Sequence, residues 1–206
     1  MRTFLKILPV LFLCFAMSCG DEGDGATAEF DADELLKSRT EHDAEFKTAG
    51  NSPIPQEIRS SFKGLNYFPP NEEYALPAFF TRFENPQSVK IQTSKANDIR
   101  TMSRYGELAF VIAEKEYKLT VFKTNTEGQE SYLFVPFKDA TTGRETYEGG
   151  RYIDLEEQEG DDEYLLDFNR AYNPYCAYNH KYACPLVPAE NVLKIAIPAG
   201  EKAFKK

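Results

Sequence analysis

Residues 133–201 read LFVPFKDATTGRETYEGGRYIDL from 133 to 155 and, after an acidic insert, LLDFNRAYNPYCAYNHKYACPLVPAENVLKIAIPAGE from 165 to 201. Short β-branched and aromatic runs alternate there with loops dense in Gly, Pro, Asn, Asp and Tyr. Polar residues on loops held between strands are what a site on a rigid scaffold looks like. The stretch therefore decides two things, a β-rich fold and the place to look for function. No spacing in it matches a motif with a known chemical mechanism.

Outward from it, towards the amino terminus, further strand-like runs appear at 65–68, 78–83, 89–93, 99–104, 107–113 and 117–123. Within and beside the opening stretch lie 132–137, 151–155, 164–168 and 192–197. Ten short strands at this spacing, with helix mainly at the front, predict an antiparallel sandwich or partly open barrel of the α+β, mainly β class. A parallel α/β fold is excluded by the lack of helical pattern between the strands. Runs 107–113 and 117–123 are close enough for a hairpin. One substantial helix is expected over 33–47, capped by Asp31 or Asp33, with Leu35, Leu36, Arg39, His42 and Phe46 near one face. Ser52-Pro53-Ile54-Pro55 breaks it, and a helical turn over 56–63 ends at Gly64.

The first residues read as targeting rather than fold. Arg2 and Lys6 precede a run, 7–17, that is almost wholly apolar and too short to span a bilayer. Ala16-Met17-Ser18-Cys19 resembles a bacterial lipobox, so residues 1–18 are expected to be a signal peptide and Cys19 the lipidated residue. Residues 19–30 are acidic and Gly-rich, a flexible tether, and 31–206 are read as one globular domain. The expected location is outside the cytoplasm, on the outer membrane or cell surface, with the membrane as partner through the lipid. Removing Arg2 and Lys6 takes the formal charge from −9 to −11, which argues against nucleic acid. The sequence carries no signal for oligomeric state.

Candidate chemistry is concentrated in the opening stretch. Asp139 and Asp167 each sit where a strand meets a loop, as paired carboxylates of a metal-free hydrolase would. Asx-type turns, or pairing with Arg144 or Arg151, are the favoured explanation of them. Arg144, Tyr147, Arg151, Asn169, Asn173, Tyr175 and Asn191 are the expected ligand-binding residues. Seven of the twelve tyrosines fall in this stretch, which suits a groove for a sugar or peptide, or equally a cover over a sheet edge. Residues 141–151 form a Gly-rich loop with two arginines but lack the Lys and helix of a nucleotide loop.

Residues 156–163, six of them acids, lack calcium-loop spacing and read as an exposed connector. Cys176 and Cys184 are expected to form a disulfide in an oxidising envelope, with a reduced pair the alternative. Zinc would need two more ligands, and His42 and His180 are the only histidines, so no metal and no cofactor are expected.

The runs FKGLNYFPP (62–70), RYGELAF (104–110), LFVPFKDATTGRETYEGGRY (133–152), DFNRAYNPYCAYNHKYACPLVPAEN (167–191) and IPAGE (197–201) resemble an uncharacterised bacterial family, domain of unknown function 1684. The resemblance spans roughly residue 39 to the end and implies no activity. Some members of that family lack a signal peptide yet keep both cysteines. The functional expectation is a lipid-anchored envelope protein that binds a small polar ligand or a partner through the 139–191 loops. A hydrolase and a purely structural envelope protein are the alternatives.

Overall fold

Apolar residues at alternate positions from Ala78 to Ile112 put one face of two long strands into a core, and the chain curls around that face. A computed structural model describes residues 29–124, 132–158, 160 and 162–205. The proposed signal peptide and Cys19 lie outside these residues. Six antiparallel strands form one sheet: β1 (Ala75–Gln92), β2 (Ile99–Ile112), β3 (Lys115–Thr124), β4 (Leu133–Phe137), β5 (Arg151–Leu155) and β6 (Glu163–Asp167). Their order is β5-β4-β3-β2-β1-β6, and the sheet curls into a half-barrel with one main helix.

The mainly β class and antiparallel pairing agree with the sequence, but the strand count is six where ten were expected. Two expected breaks are irregularities inside continuous strands, between Arg82 and Gln87 in β1 and between Arg104 and Gly106 in β2. Such bulges bend a strand and increase its twist without ending it. Gly106 fits there because a Cβ would lie 2.4 Å from the Phe80 ring and 2.6 Å from the Thr81 carbonyl. The other two expected strands, 65–68 and 192–197, make only isolated bridges, Tyr67 to Glu201 and Lys138 to Val192. The expected hairpin forms, its turn being Ala113-Glu114, both at positive φ (50° and 61°).

The inner face of the curl buries Phe80, Leu108, Phe110, Val121, Phe137 and Phe168. All five residues of β4 are buried, because Leu133, Val135 and Phe137 face this core while Phe134 faces a second one with Ile91, Met102 and Phe122. Helix α1 (Ala32–Thr48) starts at Asp31, whose side chain accepts from the Asp33 and Glu34 amides. Leu35, Arg39 and Phe46 of the expected face are buried, whereas Leu36 is exposed. A short helix α2 (Gln56–Arg59) follows, and Phe46, Ile54, Phe62, Leu65 and Tyr178 close a third cluster. The acidic connector is not uniformly solvated: Glu157 pairs with Arg82 at 2.9 Å and also binds Lys123 and Tyr105.

Past β6 the chain has little regular structure of its own, and buried polar side chains attach it to the sheet. Tyr172 exchanges two backbone hydrogen bonds with Tyr152 of edge strand β5, so this segment closes the curl at one point. Arg151 and Asp139 hold the turn at Ile197–Ala199: the Arg151 guanidinium donates to the carbonyls of Ala199 and Ile197, and the Asp139 carboxylate accepts the Ile197 amide at 2.8 Å. Both side chains are wholly buried and lie 3.4 Å apart. Glu201, also buried, accepts from the Asn173 amide and side chain and from the Tyr178 hydroxyl.

Burial raises the Glu201 pKa from 4.5 to about 7, against the pull of its donors. A folded state that keeps this proton longer than the unfolded chain gains stability that is complete below about pH 4.5 and lost as pH rises through 7. Denaturant unfolding at pH 5 and pH 8 should show the wild type less stable at the higher pH by an amount on the order of 2 kcal/mol that Glu201→Gln removes.

Candidate functional site

The closure at Tyr152 and Tyr172 leaves a cleft between α1, edge strand β5 and the loops after β6. Its volume is about 450 Å³, and its wall is aromatic: Phe46, Tyr132, Phe134, Tyr152, Tyr172, Tyr175 and Tyr182. Tyr175 and Tyr182 meet edge to face at 5.3 Å, and Tyr152 and Tyr172 at 5.8 Å. Tyr152 is fixed as the floor because its hydroxyl donates to the Pro185 carbonyl. These rings are placed by the chain's own punctuation. Pro174 starts a 3-10 turn at Tyr175–Ala177, and the strand-like step after Ala183 pairs with the end of β1 through Ser94 and Gln92.

One carboxylate stands among these rings. Asp154, on the outward face of β5, accepts the Tyr172 hydroxyl at 2.6 Å. Although Asp154 reaches solvent, partial desolvation in this crowded wall raises its pKa, and the Tyr172 hydrogen bond partly offsets that. Burial likewise pushes the Tyr172 phenol far above its ordinary value, so it stays a hydroxyl donor. His42 lies on the α1 side, its ring against Phe46 with centroids 4.1 Å apart and planes tilted by 40°. Burial lowers its pKa, against Glu45 and Asp43, which favours the neutral imidazole at pH 7.

A second chamber of about 270 Å³ adjoins the first and shares His42, Asp154 and Tyr172 with it. It lies between α1 and the two sheet edges, and Arg39, Tyr67, Asp167 and Asn169 line it. Arg39 stacks on Tyr67 at 4.5 Å and donates to the Phe68 and Asn169 carbonyls.

The residues singled out from sequence are distributed unevenly about this cleft. Asn173 and Tyr175 line it, and Asp167 and Asn169 line the adjoining chamber. Arg144 lies elsewhere, beside Glu145 and Lys202. Asp139 is enclosed with Thr141, Thr142, Arg151 and the Ile197 amide, while Asp167 accepts from the Asn169 amide and side chain. The two acids share no hydrogen-bond partner among the described residues. Arg151, Asn169, Asn173 and Asn191 each bond the backbone of another segment, while the Arg151 Nε and Asn173 Oδ1 are buried without a partner among the described residues. Asn191 is the clearest example, exchanging bonds with both the amide and the carbonyl of Thr120 and donating to the Pro136 carbonyl.

The expected disulfide is not formed. Cys176 and Cys184 are buried free thiols, packed side by side in the cluster beneath the cleft. The Cys184 sulfur accepts the Cys176 backbone amide at 3.2 Å, and the Cys176 sulfur is 3.8 Å from the Tyr147 hydroxyl. Each sulfur thus has a partner without an S–S bond.

Asp154, Tyr132 and His42 were not among the expected ligand-binding residues. The available signal was alternation: in Arg151-Tyr152-Ile153-Asp154-Leu155 a polar residue falls on the face that two tyrosines would cover. His42 and Phe46 share a helix face at i, i+4, but nothing local shows that this face meets a cleft.

The family model described as "Protein of unknown function (DUF1684)" matches residues 60–202, and the chain belongs to that family. A solution NMR structure of an uncharacterized protein of Haloarcula marismortui is 39% identical. The likeness covers 82% of this chain and 92% of that one, with a TM-score of 0.65. Among curated proteins there is no match.

Proposed function

We propose that the chain is a lipid-anchored envelope protein that binds a small polar ligand, a sugar or short peptide, in the tyrosine cleft. The observation that carries this reading is the cleft itself. It has the volume of a small-ligand site, a wall of rings and one carboxylate, Asp154, set among them. Tyrosine presents an apolar face for a sugar ring or side chain and a hydroxyl for its polar groups. An ionised Asp154 is an acceptor only, so it selects hydroxyl or ammonium donors. The acidic surface disfavours anionic ligands in the same direction.

A panel of mono- and oligosaccharides and short peptides, screened by melting temperature, tests the reading. At least one class should raise the melting temperature of the wild type. Asp154→Asn and Tyr172→Phe should each weaken its affinity by about tenfold, the loss of one charge-assisted hydrogen bond. A flat response across the panel, or a shift that both variants retain, would count against the cleft.

Anchoring rests on the amino-terminal sequence alone, through the apolar run, Ser18-Cys19 and the acidic residues after them. Metabolic labelling with a palmitate analogue should mark the wild type and leave Cys19→Ser unlabelled. Equal labelling of both, or of neither, would remove the anchor from the proposal.

A further inference from the structure

Beneath the cleft lies chemistry that ligand binding does not use. Two free thiols, Cys176 and Cys184, meet inside an apolar cluster whose members include Met102, Phe122, Phe134 and Tyr152. Isolated buried cysteines are inert packing groups. These two differ because polar donors are brought to them. The Tyr147 hydroxyl lies 3.8 Å from the Cys176 sulfur, and the Cys176 amide points at the Cys184 sulfur from 3.2 Å. Ser94 fixes the other side, its hydroxyl accepting the Cys184 amide at 3.2 Å while its own amide donates to the Cys184 carbonyl. The pair is therefore held from three directions: by the loop before β5, by the end of β1 and by its own backbone.

We propose that Cys176 and Cys184 form a peroxide-reactive dithiol at the base of the tyrosine cleft, oxidised reversibly to a disulfide. It is a switchable state of the pair rather than a permanent structural bond, and it does not depend on the cleft binding any ligand. Hydrogen bonds from the Cys184 thiol, then from Ser94 and Tyr147, hold the Cys176 pKa below its ordinary value despite burial, and Cys184 is pushed up in response. The Tyr147 hydroxyl beside its sulfur marks Cys176 as the attacking group and Cys184 as its resolving partner. Access selects the oxidant. Cys184 lines the cleft, yet it is only 7% exposed and Cys176 only 5%, which shuts out a bulky disulfide and admits a molecule little larger than water.

The chemistry closes with hydrogen peroxide as the one co-reactant. The Cys176 thiolate attacks one peroxide oxygen, the O–O bond breaks, and hydroxide leaves with the proton the thiol gave up, as water. Cys176 is now a sulfenic acid, oxidised by two electrons. The Cys184 sulfur then attacks the Cys176 sulfur, the S–O bond breaks, and hydroxide leaves with the Cys184 proton as a second water. Two thiols and one peroxide become one disulfide and two waters. An external thiol reverses the step by exchange once a local opening of the loop exposes the bond.

The test uses the full chain, reduced and freed of reductant, then exposed to a small excess of hydrogen peroxide, with peptide masses read after alkylation. Both thiols should lose their reactivity without gain of oxygen, and dithiothreitol should restore them. In Cys184→Ser, Cys176 should accumulate as a dimedone-reactive sulfenic acid. Tyr147→Phe, which removes one donor to the thiolate and leaves both sulfurs, should slow oxidation by roughly three- to tenfold. Thiols that stay fully alkylatable, oxidation that proceeds only to sulfinic acid, or a wild-type rate in Tyr147→Phe would overturn the proposal. Should Cys184→Ser fail to fold, the wild-type masses and the Tyr147→Phe rate decide alone.

Discussion

Arg151 and Asp139 form an ion pair with no exposure to water, and the last third of the chain is arranged to make that tolerable. Taking two ions out of water costs several kcal/mol apiece, which their attraction repays only when the remaining donors and acceptors are well used, and here the Arg151 Nε alone of the pair lacks a partner among the described residues. Here Arg151 caps the Ala199 and Ile197 carbonyls, and Asp139 takes the Ile197 amide and two threonine hydroxyls. The pair thereby fastens an irregular segment, rich in Pro and poor in ladder bonds, to the ends of β4 and β5. A hydrophobic pair in the same place would pack as well but would leave those carbonyls and that amide buried without partners.

The same solution recurs along the segment. Asn191 serves as a strand partner for Thr120 where β3 and β4 diverge, and Asn169 exchanges bonds with the Asn71 backbone in the same way. Asn173 and Tyr178 enclose Glu201. An amide side chain offers an acceptor and two N–H donors, one edge of which matches the geometry of a peptide, so it replaces a missing strand at little conformational cost. With the backbone satisfied in this manner, the tyrosines are free to stand over the sheet edge. The cleft is what remains between them and α1, and its floor is fastened by Arg151 and Asn173, each next in sequence to one of its rings, Tyr152 and Tyr172.

This division explains what could be read from the sequence. Helix α1 was legible because its signals are local: Asp31 at the cap and a proline-broken end. Strand positions were legible for the same reason, since alternation sits within each run. Strand number was not, because Arg82–Gln87 and Arg104–Gly106 read as gaps between separate strands, and only pairing across β1 and β2 makes them bulges. The density of Asp, Asn and Arg from 139 to 191 marked the right third of the molecule. What it marked first, however, is the fastening of that third to the sheet. Asp154 and His42 reach one cleft from a strand and a helix more than a hundred residues apart, a proximity that depends on the curl of the sheet and leaves no trace in either neighbourhood. The two thiols are near in sequence, but their oxidation state is a matter of chemistry that spacing does not encode.

The dependence of the carboxy-terminal third on one buried ion pair is most directly tested by a double-mutant cycle on Asp139 and Arg151, using Asp139→Asn, Arg151→Met and the double variant in equilibrium unfolding. Each single change should cost about 3–5 kcal/mol by leaving a buried charge alone. The double variant should cost little more than the worse single one, giving a coupling close to the smaller single cost, roughly 3 kcal/mol or more. Single variants within about 1 kcal/mol of wild type, or costs that add to within about 0.5 kcal/mol, would contradict the account and place the hold on this segment elsewhere.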